Sequence, residues 1–137
     1  DDIVMLVFSG HGQEVFNKDD KKSTYFAPID GKRSQPKTLV DMTEILEMVS
    51  GCGSRNVIIA DMCREIYSPN KGKGVDIDNL KVPKNCAILF GCESTQLSFV
   101  NESLKHSLFS YAIVDVLKEY RTTGWSVSWT GLVNGVE

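Results

Sequence analysis

Three apolar segments separated by polar stretches dominate the first two thirds of the chain. Residues 3–8, 57–60 and 86–90 are apolar without interruption. Short apolar runs bounded by turn signals are typical of buried strands in a parallel sheet that is covered on both faces. We therefore predict three strands, at Ile3–Ser9, Val57–Asp61 and Cys86–Gly91.

A helix is predicted between the first two of these strands. Asp41 can cap its amino terminus, Glu44 occupies the capping-box position, and Gly51 follows its last turn. These signals predict a helix from about Met42 to Ser50. Its apolar stripe consists of Met42, Ile45, Leu46 and Val49.

A second amphipathic helix is predicted after the third strand. It begins at Leu108, with Ser107 as its cap, and Thr130–Val133 can begin another helix. Its apolar stripe consists of Leu108, Phe109, Ala112, Ile113, Val116, Leu117 and Tyr120.

The order strand, helix, strand, strand, helix predicts a three-layer α/β domain. Residues 13–38 are polar and turn-rich, with one short apolar stretch at 25–27 that suits an edge strand or hairpin arm. Two polar segments, 64–84 and 93–105, follow predicted strands, and we expect them to be the mobile parts. A chain of 137 residues is long enough for one domain with a core, so residues 1–137 are interpreted as a single domain.

Composition and charge exclude several classes of protein. Hydrophobic residues make up 42% and charged residues 24%, as in ordinary globular domains. A net charge of −3 argues against a nucleic-acid partner. No apolar stretch approaches the length of a membrane span and no signal peptide is recognisable, so we expect a cytoplasmic protein with no membrane partner.

The four cysteines do not form a metal-binding or disulfide pattern. No C-x-x-C pair occurs, which disfavours a zinc site, and an intracellular α/β chain of this size rarely carries a disulfide framework. Cys52, Cys86 and Cys92 are interpreted as small buried apolar residues. Cys63 differs, because it directly follows the second predicted strand.

Two motifs at strand ends carry the candidate chemistry. Ser9–Gly12 reads Ser-Gly-His-Gly, and Asp61–Arg64 reads Asp-Met-Cys-Arg. The carboxyl ends of parallel strands form the ligand-binding edge of an α/β sheet. His11 and Cys63 are therefore placed to act as base and nucleophile, and the backbone N–H groups of Gly12 and Cys63 can face an oxyanion. Taken singly, each motif also suits a turn with a chance histidine or a buried cysteine.

Asp61 lies two residues before Cys63, so in an extended chain both side chains point to the same side. A carboxylate there would attract a cationic substrate group. Alternatively, Asp61 is a cap or the salt-bridge partner of Arg64 or Arg55. The other histidine, His106, is interpreted as a solvated residue.

With these two motifs the chain resembles the caspase-like cysteine proteases. It most resembles the paracaspases, with metacaspase-like enzymes as near neighbours. The resemblance implies the caspase-hemoglobinase fold, a three-layer α/β fold with a mostly parallel central sheet and helices on both faces. The family domain has a strand and a helix before the histidine strand and a further strand at its end. The chain is therefore expected to be a partial domain that lacks the first and last strands.

The resemblance also implies an activity. It implies a cysteine endopeptidase without metal or other cofactor, with His11 as the base and Cys63 as the nucleophile. Gly12 and Cys63 would supply the oxyanion donors. The substrate would be a polypeptide, and the resemblance is compatible with a homodimer of the intact domain and with adaptor domains outside this chain.

The substrate pocket implied by the resemblance is acidic. Asp61 and Glu102 would form the walls of the S1 pocket, and Ser98 and Val100 belong to the substrate loop. Caspases proper carry Gln-Ala-Cys at the nucleophile and prefer aspartate, whereas Asp61 favours cleavage after arginine and, more weakly, lysine.

Two other functions were weighed against this one. A catalytically silent caspase-like scaffold would keep the fold without the chemistry, but both dyad residues are present. A nucleotide-binding domain is disfavoured, because the glycine-containing segment at residues 51–54 precedes a strand instead of following one into a helix.

Overall fold

The structure, a computed structural model, describes residues 2–16, 21–53, 55–64, 80–92, 100–101, 106–124 and 126–136. The chain divides into two compact units, Asp1–Leu97 and Ser98–Glu137. The first unit contains β1 (Ile3–Phe16), β2 (Lys22–Ala27), a turn of 3-10 helix (Pro36–Thr38), β3 (Val40–Asp41), α1 (Met42–Ser50), β4 (Arg55–Met62) and β5 (Cys86–Phe90). The second unit contains a pair of short strands and two helices. No helix in these ranges is long and apolar enough to cross a membrane.

The first unit is built on a mixed five-stranded sheet in the order β3-β2-β1-β4-β5. β1 pairs in parallel with β4, and β4 with β5, whereas β2 and β3 add antiparallel pairings. The predicted α/β class is thus confirmed, with an antiparallel extension on one side of the parallel strands.

β1 is much longer than predicted. It does not end at Ser9 but continues through the Gly-His-Gly segment to Phe16. Up to Gly10 it pairs with β4, and from His11 onwards it pairs with β2 as a hairpin. Gly10 lies at this change of partner with φ of +150°, a conformation that glycine adopts far more readily than other residues. The glycines of this segment therefore do not form the predicted turn. They lie where β1 changes its partner from β4 to β2.

Helix α1 has the bounds that the sequence predicts. The Asp41 side chain accepts a hydrogen bond of 2.8 Å from the backbone N–H of Thr43, which caps the helix. The apolar stripe of α1 packs on one face of the sheet. The buried core consists of Met42, Leu46, Val49, Ile58, Ala60 and Met62.

The opposite face of β1 is exposed, contrary to the expectation of burial on both faces. Ile3, Met5 and Val7 are each between 54% and 62% exposed, whereas Leu6 and Phe8 pack against the core under α1. Alternate residues of a strand point to opposite faces. Within the first unit, the single described α-helix, α1, can bury only one of these faces, and it covers the face that carries Leu6 and Phe8.

The second unit is a helical pair with a short antiparallel strand pair. Its elements are β6 (Val100–Asn101), β7 (His106–Ser107), α2 (Leu108–Thr123) and α3 (Trp129–Val136). Ser107 caps α2, because its hydroxyl accepts a 2.9 Å hydrogen bond from the N–H of Ser110. Ile113 of α2 and Leu132 of α3 are buried, whereas Leu108 is half exposed. The helices predicted from Leu108 and from Thr130 are thus both confirmed. In α2, fewer positions are buried than its predicted apolar stripe suggests.

Candidate active site

The register between β1 and β4 brings the two sequence motifs to the same edge of the sheet. Ser9 lies opposite Asp61, and Gly10 lies opposite Met62. The next residue along each chain is His11 or Cys63. His11 is exposed and Cys63 is half-buried. The structure therefore places His11 and Cys63 side by side in sequence register, each one residue past the end of the parallel pairing between β1 and β4.

Gly12 joins the two motifs by direct backbone contact. A Cβ atom at this position would lie 2.5 Å from the carbonyl oxygen of Cys63 and 2.9 Å from Sδ of Met62. These separations are shorter than carbon can tolerate, so a side chain would push the two segments apart. The absence of a side chain at Gly12 is thus what lets β1 lie against the Cys63–Arg64 peptide and the Met62 side chain.

Asp61 lies inside the sheet rather than on its surface. It is 5% exposed and belongs to the last part of β4, whereas Cys63 follows the end of that strand at Met62. The prediction that both side chains point to the same side assumed an extended strand through residue 63. The strand ends at Met62, one residue before Cys63, so that assumption does not hold for Cys63. A carboxylate this deeply buried requires polar or cationic neighbours.

A buried ion cluster lies immediately after Cys63, and sequence analysis did not predict it. Nε and Nη2 of Arg64 each lie 2.9 Å from Oε1 of Glu14, and Nζ of Lys22 lies 3.4 Å from Oε2. The Glu14 side chain is fully buried, and those of Lys22 and Arg64 are 1% and 7% exposed. The Arg64 guanidinium also lies 4.4 Å from the ring centroid of Phe90. Arg64 thus anchors the chain beside Cys63 to β1 and β5, and Lys22 joins β2 to the same glutamate.

The other cysteines differ from their prediction. Cys52 is exposed just after α1, so the burial predicted for it is wrong, and Cys86 and Cys92 are half-buried. Sγ of Cys92 donates to the carbonyl oxygen of Met62 at 3.3 Å. Burial raises the pKa of Cys92, the charge of Cys63 raises it further, and the backbone N–H of Arg64 opposes these effects. Cys92 is therefore a polar neighbour of the Cys63 segment rather than an apolar filler.

Several predicted residues lie wholly or partly outside the described residues. Glu102 and Ser98 are outside them. Val100 is described only by its backbone in β6, and the backbone of His106 pairs with Asn101 in β7. Most of the two segments predicted to be mobile is also outside them. Within the described ranges, no group of three His, Cys, Asp or Glu side chains is arranged to hold a metal ion.

Comparison with known protein families agrees with the arrangement of the strands and motifs. The family model described as the caspase domain matches residues 1–134, a span that contains both the His11 motif and the Cys63 motif. No curated protein matches the chain.

Proposed function

The chain belongs to the caspase-domain family, and on that basis we propose that it is a cysteine endopeptidase with His11 and Cys63 as its catalytic dyad. The observation that carries the proposal is the backbone contact between Gly12 and the Cys63–Arg64 peptide. It joins the segment that holds the histidine to the segment that holds the cysteine. Membership of the family makes a polypeptide the substrate class.

In the proposed mechanism, the Cys63 thiolate attacks the carbonyl carbon of the scissile peptide bond. His11 takes up the thiol proton and delivers it to the leaving amine, which leaves an acyl thioester on Cys63. Water then attacks the thioester, with His11 as the base, and the free thiol is restored. The N–H groups of Gly12 and Cys63 stabilise the oxyanion that forms in both steps.

The proposed preference is for arginine, and less strongly lysine, before the cleaved bond, as the resemblance to paracaspases implies. Asp61 supports this preference, because a buried carboxylate near the carboxyl end of β4 is stabilised by a cationic neighbour. The resemblance to paracaspases implies Glu102 as the second carboxylate and Ser98 and Val100 as residues of the substrate loop. A planar guanidinium can bridge two carboxylates with charge-assisted hydrogen bonds, whereas an ammonium offers only a compact charge.

A peptide substrate with arginine before a fluorogenic leaving group tests the proposal. Cys63→Ala should abolish cleavage, and His11→Ala should reduce it severely, since each removes one half of the dyad. Cys52→Ser is the matched control, because Cys52 is exposed and lies away from the strand ends. Cleavage that survives Cys63→Ala, or a wild-type chain that neither cleaves the peptide nor reacts with an arginyl halomethyl ketone, would contradict the proposal.

A further inference from the structure

A second thiol lies beside the proposed nucleophile. Phe90 of β5 pairs with Ala60 of β4. The N–H of Gly91 donates to the carbonyl oxygen of Ala60 at 3.0 Å, so the two segments remain hydrogen-bonded one residue past the end of β5. Continued by two residues, this register places Cys92 opposite Met62. Cys92 thus follows β5 much as Cys63 follows β4.

The hydrogen bonds of Cys92 hold its sulfur against the backbone on both sides of Cys63. Its Sγ lies 3.3 Å from the carbonyl oxygen of Met62, and it also accepts from the backbone N–H of Arg64. In a trans peptide the carbonyl oxygen lies about 2.8 Å from the next Cα. The sulfur of Cys92 is therefore within about 6 Å of the Cys63 Cα.

This separation suits a disulfide. Neighbouring strands lie about 4.8 Å apart and rise about 3.3 Å per residue, so two Cα atoms offset by one residue are about 6 Å apart. Disulfides typically join Cα atoms that are about 4.4–6.8 Å apart. In continuous strands, residues offset by one point to opposite faces, so pairing of Cys63 with Cys92 also requires the backbone to turn after Met62, where β4 has ended.

We propose that peroxide converts Cys63 and Cys92 into a reversible disulfide that switches off the peptidase. The loss of activity rests on the proposed function of Cys63, whereas disulfide formation does not. The Cys63 thiolate attacks one peroxide oxygen, an S–O bond forms, the O–O bond breaks, and hydroxide leaves to become water. The Cys92 thiolate then attacks the Cys63 sulfur, the S–O bond breaks, and a second hydroxide leaves as water. Two thiols are oxidised by two electrons, and one hydrogen peroxide is reduced to two waters.

The order of these steps follows from the surroundings of the two thiols. Burial and the nearby charge of Cys63 raise the pKa of Cys92, so Cys92 is a poor first target for peroxide. Once Cys63 has become a neutral sulfenic acid, its charge no longer opposes ionisation of Cys92. Cys92 then acts as the resolving thiol and protects Cys63 from irreversible oxidation to sulfinic acid.

The test treats the full chain with a slight excess of hydrogen peroxide, blocks remaining thiols, and maps disulfides by mass spectrometry without reduction. Trypsin releases Cys63 in the peptide 56–64, and Cys86 and Cys92 together in the peptide 85–105. We expect these two peptides to be linked in the wild-type chain and in Cys86→Ser, and unlinked in Cys92→Ser. Absence of the link in wild-type chain, or its persistence in Cys92→Ser, would overturn the proposal even if Cys92→Ser folds poorly.

Peptidase activity provides the second measurement. The oxidised wild-type chain should lose nearly all cleavage of the arginyl peptide and regain it with dithiothreitol. Cys92→Ser should be active when reduced and lose its activity irreversibly with peroxide, because no disulfide then protects Cys63. A disulfide that forms without changing activity would refute the switch. A reduced wild-type chain with no activity would refute the proposed function, while the linked peptides would still decide whether the disulfide forms.

Discussion

Removal of the Glu14 charge should be the most damaging conservative change in the sheet. Glu14→Gln keeps the size of the side chain but leaves the guanidinium of Arg64 and the ammonium of Lys22 buried without this carboxylate. Breaking a buried ion pair by removal of one partner costs about 3–5 kcal/mol. For a chain of this length, each kcal/mol lowers the melting temperature by roughly 3–4 °C, so we expect a decrease of about 9–20 °C.

Chemical denaturation followed by circular dichroism gives the free energy of unfolding, and peptide cleavage below the transition gives kcat/KM. Glu47→Gln is the matched control, because Glu47 is an exposed carboxylate on α1, and its loss should change stability by less than about 0.5 kcal/mol. In Arg64→Met the same cluster loses its other main member. A double-mutant cycle between Glu14 and Arg64 should then show strong coupling.

Glu14→Gln should also lower the peptidase activity of the protein that is still folded. Arg64 anchors the chain next to Cys63, so release of its guanidinium from Glu14 frees the nucleophile segment. We expect a lower kcat with little change in KM, since the substrate pocket is left in place. A loss of stability below about 1 kcal/mol, or additive effects of the two substitutions, would refute the reasoning that the pair is buried and coupled.

Three further substitutions test other parts of the structure. Gly12→Ala should lower the melting temperature and abolish peptide cleavage, because its Cβ would collide with the Cys63 carbonyl oxygen. Gly51→Ala is the control and should change neither measurement, because the atom nearest to its Cβ would be 3.5 Å away. Equal effects of the two substitutions would contradict the contact at Gly12. Glu102→Gln should lower kcat/KM for arginyl peptides roughly ten- to hundredfold, measured beside matched lysyl and aspartyl peptides. An unchanged kcat/KM for the arginyl peptide would exclude Glu102 from the pocket. Asp41→Ala should cost about 1 kcal/mol in urea denaturation through loss of the helix cap; no change would mean that the cap contributes nothing.

Helix α1 and the parallel strands were predictable, because their signals are local. Asp41, the apolar spacing from Met42 onwards and Gly51 mark the helix within one continuous segment. Uninterrupted apolar runs form the centre of β4, at residues 57–60, and the whole of β5, and such short runs are typical of buried parallel strands. The two motifs at the strand ends were also visible as sequence, since each consists of four consecutive residues.

The length of β1 could not be predicted, because it depends on which partner is available. Gly10 and Gly12 favour a turn in isolation. In the folded chain, β2 supplies a ladder for residues after Gly10, and the backbone hydrogen bonds gained there keep the segment extended. The exposure of Ile3, Met5 and Val7 likewise depends on which helices cover the sheet, a property that no pattern within the strand contains.

The amino-acid sequence by itself thus determined the α/β class, the bounds of α1 and the identity of the residues proposed as base and nucleophile. Only the tertiary structure decided what surrounds them. Glu14 and Arg64 are fifty residues apart in the chain, and a glutamate in a polar segment ordinarily indicates a solvated surface. Their charges became a buried pair because strand pairing brought them together, and the same pairing placed Cys92 against the backbone on either side of Cys63.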